Sequence, residues 1–552
     1  MKTTYKKSSD FRSSLRNTLN KIHRKCCPPA SCRMDSPKTS LIVQQRLPAL
    51  ARMSMEDQKE HIMPLQVIKR MENLKLSEND LLWPEKCEEE ICSLFLNCDV
   101  EDHKKQALFT GNTAGELNAF LLKHAGMTVL VQSREVFIDE TILVPDYTFL
   151  KGESTILRGG GKIGVVFYLA GRNHASVTGF TIDGNFLYGI YISDSRDIMV
   201  CGNTFRHIAR KPVTVTGNSA RIMVCGCVFE ENGQGGIQIN GNAADVLIEG
   251  NVIEGSQCSD NWSAGIVLTA NGIPDTAGDG NSRLSITMDR ERMLYDMLSA
   301  PCRIVMRNNI ISHNNSSGIY CFGPYMVYIT HNQIVGNDKE GICLDFGTLG
   351  GYAAYNDVMR NGGRTRQTDR DLEHDFVLEI GRLEDGSSPA KLPGISIDNS
   401  AYNMIYNNRI EENCGSGVKM VRTGIRNIIS TNIINGNNQG QNSRFHFFGI
   451  ELANTAADFV EAGMDYRPDY ENIICRNMIT GRHYAGVFLA EEVYMNDLFD
   501  NVILDASEWS MECISRMKNN TLNNLSQVPS RGIPLSAASF EAVFVPGMVP
   551  LE

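Results

Sequence analysis

The chain has 552 residues, 42% of them hydrophobic and 21% charged, which is an ordinary composition for a folded globular protein. Its formal net charge of −11 argues against a nucleic-acid-binding protein, because such proteins need a basic face. No run of about 18 apolar residues occurs, so the sequence predicts no transmembrane helix.

The N-terminal region divides into two parts by composition. Residues 1–55 are basic, with Asp10 and Asp35 as their only acids, and we expect a disordered tail. The alternative is a short basic helix that acts as a transit, export or membrane-surface signal. Its apolar stripe would consist of Phe11, Leu15, Leu19 and Ile22. No secretory signal peptide is visible. Residues 56–105 are predicted to form a helical segment.

The 16 cysteines do not have the spacing of a metal site. Cys87, Cys92 and Cys98 lie on a helix-like stretch without a nearby histidine. We therefore expect reduced, partly buried thiols, which favours a reducing compartment, with export by an unconventional N-terminal signal as the alternative.

A capping box predicts the start of an amphipathic helix. Thr113 and Glu116 have the required spacing, and "LNAFLLKHAG" follows up to Gly126. Short β-rich runs separated by turn residues come next.

From about residue 175 the chain repeats. An asparagine, any residue and then an apolar residue recur, often 23 or 24 residues apart, at Asn203, Asn251, Asn309, Asn332, Asn356, Asn408, Asn432, Asn477 and Asn501. Cys227 occupies the same frame between the first two. A second unit, Gly-apolar-x-apolar, keeps step with it, as in "GIYI" at Gly189 and "GVKM" at Gly417. This pattern predicts about three short strands per period, coiled so that equivalent strands stack and the asparagines form a ladder.

The repeat resembles the right-handed parallel β-helix of the pectate-lyase-like superfamily. The resemblance implies an all-β solenoid of coils of about 24 residues over residues 106–525, with the amphipathic helix as its N-terminal cap and 526–552 as a tail. It implies no single activity, because this superfamily includes lyases, hydrolases, epimerases, transferases, phage tailspikes and adhesins. The tandem Asp motifs of polygalacturonases, the Asp-Pro-His-Asp/Glu motif of alginate epimerases and a clear pectate-lyase signature are absent from the sequence.

Two residues of each Gly-apolar-x-apolar strand should point outward, and they form columns across the coils. In the early coils these residues are neutral, whereas the middle coils carry candidate catalytic residues: Tyr320, Asp345, Asp398, Lys419 and Glu451. Asp345 and Asp398 should lie on adjacent coils, about 5 Å apart. Such a pair could carry out acid/base chemistry on a glycoside or bind Ca²⁺. The structural alternative is that both aspartates only accept hydrogen bonds from the nearby backbone. Lys419 or Tyr320 would be the base or proton donor.

Inserted segments at about 272–302, 361–393 and 454–470 should build walls beside this face. Candidate substrate-binding residues are Arg422, Arg370 and His446.

The sequence therefore favours a carbohydrate-active enzyme, of polysaccharide lyase, glycoside hydrolase or uronate epimerase type, acting on a glycan bound along the outer face. Two alternatives stay open: a non-catalytic module that binds glycan or protein, and a scaffold for a functional N-terminal segment. A walled groove over Asp345–Glu451 would indicate an enzyme, and a flat face with stacked aromatic side chains a binder. The sequence predicts no oligomeric state.

Overall fold

A computed structural model provides the structure of the chain. It describes residues 71, 74–81, 84–95, 105–159, 163–258, 261–270, 299–345, 347–363, 392–421, 424–439, 446–453, 469, 471–490, 493, 496–513 and 521–526. All of them belong to one compact unit, Pro64–Glu552.

The described helices are few and N-terminal. They are α1 (Glu78–Leu81), α2 (Pro84–Ser93) and α3 (Ala114–Lys123), with a 3-10 turn at Asn261–Ser263. Helix α3 begins with the predicted capping box, because the Thr113 side chain accepts from the Glu116 N–H and the Glu116 carboxylate accepts from the backbone of Thr113. Leu117 and Leu121 of α3 are fully buried, so this helix closes the end of the core as predicted. None of the helices in these ranges is long and apolar enough to cross a bilayer.

The rest of the described chain is mainly short strands. The first are β1 (Gln106–Phe109), β2 (Thr128–Val131), β3 (Glu135–Phe137), β4 (Ile142–Leu143), β5 (Phe149–Arg158), β6 (Val165–Ala170), β7 (Asn173–Asp183), β8 (Tyr188–Ser193), β9 (Arg196–Cys201), β10 (Thr204–Arg206), β11 (Lys211–Thr216), β12 (Ala220–Cys225), β13 (Val228–Glu230), β14 (Ile237–Asn240), β15 (Ala244–Glu249), β16 (Val252–Glu254), β17 (Ile266–Thr269), β18 (Cys302–Arg307) and β19 (Ile310–Ser312). The others are β20 (Ile319–Phe322), β21 (Tyr325–Thr330), β22 (Gln333–Val335), β23 (Ile342–Asp345), β24 (Leu349–Ala354), β25 (Asp357–Met359), β26 (Ile395–Asp398), β27 (Met404–Tyr406), β28 (Arg409–Glu411), β29 (Val418–Val421), β30 (Ile428–Ser430), β31 (Ile433–Asn435), β32 (Phe448–Ala453), β33 (Ile473–Cys475), β34 (Met478–Thr480), β35 (Ala485–Leu489), β36 (Asp497–Ile503), β37 (Trp509–Cys513) and β38 (Thr521–Ser526).

These strands form a parallel β-helix, which confirms the predicted fold. One 13-stranded sheet, here called the front sheet, contains the strands of the Gly-apolar-x-apolar units together with the strands that stack in register with them, in the order β4, β6, β8, β11, β14, β17, β20, β23, β26, β29, β32, β35 and β37. The other 25 strands form the remaining faces, which the long strands β5, β7 and β36 join into one sheet. Every pairing is parallel to the equivalent strand of the next coil, as in Val213–Ile237 and Ile266–Ile319.

The core of the β-helix is a continuous apolar column made by the inward residues of each coil. Ile190, Val213, Ile237, Ile266 and Ile319 follow one another along the front sheet and are all fully buried. Because each coil can bury its inner face only against its neighbours, the sequence must repeat.

The predicted asparagine ladder is present. The Nδ2 of Asn309 donates to the Oδ1 of Asn332 at 2.9 Å, and the Nδ2 of Asn332 donates to the Oδ1 of Asn356 at 3.0 Å. Cys227 takes a ladder position as predicted, because its N–H donates to the Oδ1 of Asn251. Two further ladders were not predicted. One links Asn314, Asn337, Asn361, Asn413 and Asn437, and the other links Asn403, Asn427, Asn472 and Asn496.

The prediction of reduced cysteines is wrong for one pair. Cys201 and Cys225 form a disulfide bond between β9 and β12, where the strand register places their Cα atoms 4.7 Å apart. Cys87 and Cys92 are free thiols on α2.

The N-terminal helices pack against the outside of the β-helix. Helix α2 lies on strands β15, β18 and β21. Glu88 of α2 accepts a hydrogen bond of 2.6 Å from the Thr330 hydroxyl, and Glu85 accepts one of 3.1 Å from the Tyr352 hydroxyl. The face of the solenoid under α2 is therefore covered, and it lies on a different sheet from the candidate site.

Candidate functional site

The front sheet carries every predicted catalytic residue, because each is an outward position of one of its strands. The register aligns Tyr320, Cys343, Ser396, Lys419 and Glu451 in a single row across β20, β23, β26, β29 and β32. Two separate polar pairs lie along this row.

The first pair joins Tyr320 and Asp345. The Tyr320 hydroxyl donates a hydrogen bond of 2.7 Å to the Oδ2 of Asp345, which ends the neighbouring strand. Burial raises the pKa of Tyr320 well above its usual value, and the adjacent Asp345 carboxylate raises it further. Tyr320 is only 4% exposed and remains a neutral phenol at physiological pH. The pair therefore presents a proton donor beside a proton acceptor.

Aromatic side chains surround this pair. The ring of Trp262, in the 3-10 turn before β17, meets the Tyr320 ring edge-on with centroids 5.9 Å apart, and lies 5.8 Å from the Phe322 ring. Phe322 is half-buried and pairs in register with Asp345. Sequence analysis missed Trp262, because the turn that carries it does not belong to the repeat.

A second carboxylate lies beside Tyr320. Glu340, in the turn before β23, accepts a hydrogen bond of 2.8 Å from the Ser317 hydroxyl, and its negative charge also raises the pKa of Tyr320. Glu340 immediately precedes the glycine of its repeat unit, so the predicted outward columns did not include it.

Asp398 ends the strand next to that of Asp345, as the sequence predicts. The pairing of β23 with β26 runs to Leu344–Ile397, and the two aspartates follow directly. Asp398 is only 8% exposed.

The second polar pair is a salt bridge between Lys419 and Glu451. The Nζ of Lys419 lies 2.7 Å from the Oε1 of Glu451, and both side chains are nearly buried. The Oε2 of Glu451 accepts a hydrogen bond of 2.6 Å from the Ser416 hydroxyl, which in turn accepts from the Phe448 N–H. The charge of this pair is thus neutralised within the protein.

The two pairs are separate in space. Three strand spacings divide Tyr320 from Lys419 in the row, which corresponds to roughly 14 Å. A single small group of a substrate cannot contact both pairs, whereas a chain of sugar residues can.

Several outward positions of the front sheet are buried. Among them are Thr214, Val267, Cys343, Ser396 and Glu451. Val267 is fully buried in a cluster with Tyr320 and Cys343, against which Trp262 and Phe322 pack. Tyr168 of the early coils is more accessible, with 38% of its surface exposed.

The predicted binding residues have different outcomes. Arg422 and Arg370 lie outside the described residues. His446 is exposed two residues before the Glu451 strand, and its ring centroid lies 3.9 Å from that of Tyr484. Among the described residues, His446 forms no hydrogen bond or salt bridge with either polar pair.

A metal-ligand cluster was one interpretation of Asp345 and Asp398. Within the ranges that the structure describes, no group of three or more His, Cys, Asp or Glu side chains could hold a metal ion. A Ca²⁺ site here stays an untested prediction.

A second aromatic group lies on the front sheet at the early coils. Tyr168 of β6 and Tyr191 of β8 are register partners, and their rings stack with centroids 5.8 Å apart. The ring of Tyr188 meets that of Tyr191 edge-on at 5.4 Å. We call these three residues the tyrosine platform.

Family models match the repeat region. The model described as "Right handed beta helix region" matches residues 164–357, and the model described as "Periplasmic copper-binding protein (NosD)" matches residues 287–446. No curated protein matches the chain by sequence.

Solved structures with a similar fold include enzymes and a binding protein. The A-module of the mannuronan C-5 epimerase AlgE4 from Azotobacter vinelandii is 13% identical, with 77% of this chain and 96% of that chain covered and a TM-score of 0.44. The catalytic unit of a GH87 α-1,3-glucanase from Streptomyces thermodiastaticus is 12% identical, with 70% and 65% covered and a TM-score of 0.47. PfbA, a surface adhesin of Streptococcus pneumoniae, is 12% identical, with 74% and 92% covered and a TM-score of 0.38. These similarities concern the fold alone. Together with the match to the right-handed β-helix model over residues 164–357, the arrangement of the strands shows that the chain folds as a right-handed parallel β-helix.

Proposed function

We propose that this protein is a carbohydrate-active enzyme that transfers protons to and from a glycan bound along the front sheet. The observation that carries the proposal is the hydrogen-bonded pair of Tyr320 and Asp345, enclosed by aromatic rings on the outer face of a rigid solenoid. Strands fixed about 4.8 Å apart hold such groups in place without further ordering, as catalysis requires.

The two members of the pair have complementary roles. Asp345 acts as the general base that accepts a proton from the substrate, and Tyr320, which is a neutral phenol before the reaction, acts as the general acid that donates one; the proton on Asp345 then returns to Tyr320 through their hydrogen bond. Asp398 and Glu340 flank the pair and contact sugar hydroxyl groups. Lys419 and Glu451 bind a sugar residue further along the same chain, with Arg422, Arg370 and His446 as further candidate contacts.

The test is a substrate screen on the purified protein. Uronate and neutral polysaccharides are incubated with the enzyme, and three products are followed: unsaturated uronate by ultraviolet absorbance, reducing ends, and carbon-bound deuterium after reaction in D₂O. These readouts separate lyase, hydrolase and epimerase activity.

The activity found in the screen should depend on the pair. It should be lost in Tyr320→Phe and Asp345→Asn and kept in Gln238→Ala, because Gln238 is an outward residue of the same row two coils before Tyr320. Full activity in both site variants would refute these roles.

The second candidate function is non-catalytic glycan binding. The tyrosine platform favours it, because stacked and partly exposed rings are typical of a surface that binds without converting its ligand. Binding of a polysaccharide without any of the three products would support this alternative.

A further inference from the structure

We propose that the tyrosine platform is a distal sugar-binding subsite that holds the same glycan chain whose reacting bond lies at Tyr320 and Asp345. This inference rests on the proposed function and adds the length and the direction of the substrate.

The platform has the chemistry of a sugar-stacking surface. Tyr168 is 38% exposed, and its ring is offset-stacked on that of Tyr191 with an interplanar angle of 29°. The edge-on contact with Tyr188 fixes the second ring from the side. Exposed apolar side chains extend the surface, with Leu143 at 49% exposure and Leu187 at 43%. The C–H face of a pyranose ring packs well against such rings.

The platform and the Tyr320–Asp345 pair lie on one continuous sheet. The register runs from Tyr191 through Thr214, Gln238 and Val267 to Tyr320, which are four strand spacings or roughly 19 Å. That distance is the length of several hexose units, so the ligand that contacts both groups must be an oligosaccharide or a polysaccharide extended along the solenoid axis.

A column of polar residues on the front sheet runs from the tyrosine platform toward the Tyr320–Asp345 pair. Ser193, Thr216 and Asn240 are partly exposed residues at equivalent outward positions of β8, β11 and β14. Beyond Asn240 the same column continues through the buried Thr269 to Phe322 and Asp345. Hydroxyl and amide groups without formal charge suit the hydroxyl groups of a sugar chain, and they give no reason to expect a highly charged partner at this end.

The test measures binding separately from catalysis. Affinity electrophoresis or calorimetry is carried out with the polysaccharides of the screen on wild type, Tyr168→Leu, Tyr168→Phe, Tyr191→Ala and Tyr147→Ala. The leucine keeps an apolar side chain without a ring, and the phenylalanine keeps the ring without the hydroxyl. Tyr147 is a matched control, because it is 52% exposed and stacks on His174 but lies outside the front sheet. Circular dichroism confirms the fold of each variant.

We expect Tyr168→Leu and Tyr191→Ala to weaken polysaccharide binding by at least about tenfold, the usual effect of truncating an aromatic anchor. Tyr168→Phe and Tyr147→Ala should bind the polysaccharide as wild type does. The loss of affinity in Tyr168→Leu and Tyr191→Ala should be larger for longer glycan chains. Unchanged binding in Tyr168→Leu and Tyr191→Ala, or no binding of any polysaccharide by the wild type, would overturn the subsite. The two proposals fail differently: conversion that does not depend on the platform removes only the subsite, and platform-dependent binding without conversion removes only the enzymatic function.

Discussion

At the scale of single residues, the contact between Tyr320 and Asp345 determines what the site can do. Removing the phenol hydroxyl in Tyr320→Phe, or the negative charge in Asp345→Asn, should reduce turnover by at least about 100-fold, the usual scale for an acid/base group. Turnover should fall because each variant loses one proton-transfer step, while the aromatic packing around Trp262 is kept. Initial rates on the substrate found in the screen provide the measurement.

Asp398 and Gln238 serve as comparison positions for this prediction. Asp398→Asn keeps the shape of the side chain beside Asp345, and we expect a similar loss if both carboxylates contact the reacting sugar. Gln238→Ala lies two coils away from Tyr320 in the same row and should be near neutral. Wild-type turnover in Tyr320→Phe and in both aspartate variants would place the active site elsewhere.

The salt bridge between Lys419 and Glu451 leads to a different prediction, because both side chains are nearly buried. Lys419→Ala leaves the Glu451 carboxylate without its cation, which should destabilise the protein by about 3–5 kcal/mol. Lys419→Met combined with Glu451→Leu removes both charges and should be much closer to the wild type in stability. Chemical denaturation of the three proteins measures the difference. If the double variant is stable but turns over slowly, the pair acts on substrate; if it is stable and active, the pair is structural.

The sequence predicted the position of these side chains but not their contacts. A two-residue alternation places Tyr320, Asp345, Lys419 and Glu451 on one face, because the repeat fixes which residues point outward. It does not show that Asp345 bonds back to the preceding coil or that Lys419 is neutralised. Trp262 and Glu340 were missed because they lie in turns, where the period carries no information about direction.

At the scale of repeated elements, the ladders explain why asparagine is repeated rather than another polar residue. The Oδ1 of Asn332 accepts from both the N–H and the Nδ2 of Asn309, while its own Nδ2 donates to the Met306 carbonyl and to Asn356. Only a short amide can satisfy all these buried groups at once. The sequence predicted one ladder from its strict period; the ladder through Asn314 and Asn437 was missed because Ser256 and His483 interrupt its pattern.

An internal ladder substitution should be costly. Asn332→Ala leaves the N–H of Asn309 and one of the two hydrogens of its Nδ2 without an acceptor in a buried turn, so we expect a loss of at least about 2 kcal/mol of unfolding free energy. Gln333→Ala, at the exposed neighbouring position, should change it by less than about 0.5 kcal/mol. Urea denaturation followed by circular dichroism compares the two. Equal stability of the two variants would contradict the role of the ladder.

His483 ends one ladder and makes it sensitive to acid. Its Nε2 accepts from the Asn437 N–H at 3.0 Å, which requires a neutral ring, and burial lowers the pKa of His483 to about 3. Since the folded pKa lies below the unfolded one, stability is fully present above about pH 6.5 and is lost as the pH falls toward 3. An asparagine at this position would accept the same bond without titrating, so His483→Asn should gain about 2 kcal/mol over wild type near pH 5 and little at neutral pH. Thermal melts of both proteins at these two pH values test it, and an equal difference at both would refute the mechanism.

At the scale of the whole molecule, the β-helix was predictable and the packing of the N-terminal helices was not. A solenoid is specified by contacts between equivalent residues of successive periods, so the sequence alone shows the pattern. Helix α2 instead contacts β15, β18 and β21, more than a hundred residues away, through single contacts such as Glu88–Thr330 and Glu85–Tyr352. Nothing periodic marks those partners.

Gly350 gives a direct test of this packing. Its φ is +62°, and a Cβ at this position would lie 2.6 Å from the Cδ2 of Leu81, at the end of α1. Gly226 has a similar φ of +58° but no heavy atom within 4 Å of the same point, so Gly226→Ala reproduces the left-handed backbone strain without the clash. We expect Gly350→Ala to lower the unfolding free energy by about 1 kcal/mol more than Gly226→Ala, the lower end for overpacking, because Leu81 or its helix must move. Hydrogen–deuterium exchange should rise in Glu78–Ser93 for Gly350→Ala alone and stay unchanged in the inner coils. Equal exchange of Glu78–Ser93 in both variants would mean that the Leu81 side chain rearranges without loosening the helices. Gly350 would then not be needed for the attachment of these helices to the β-helix.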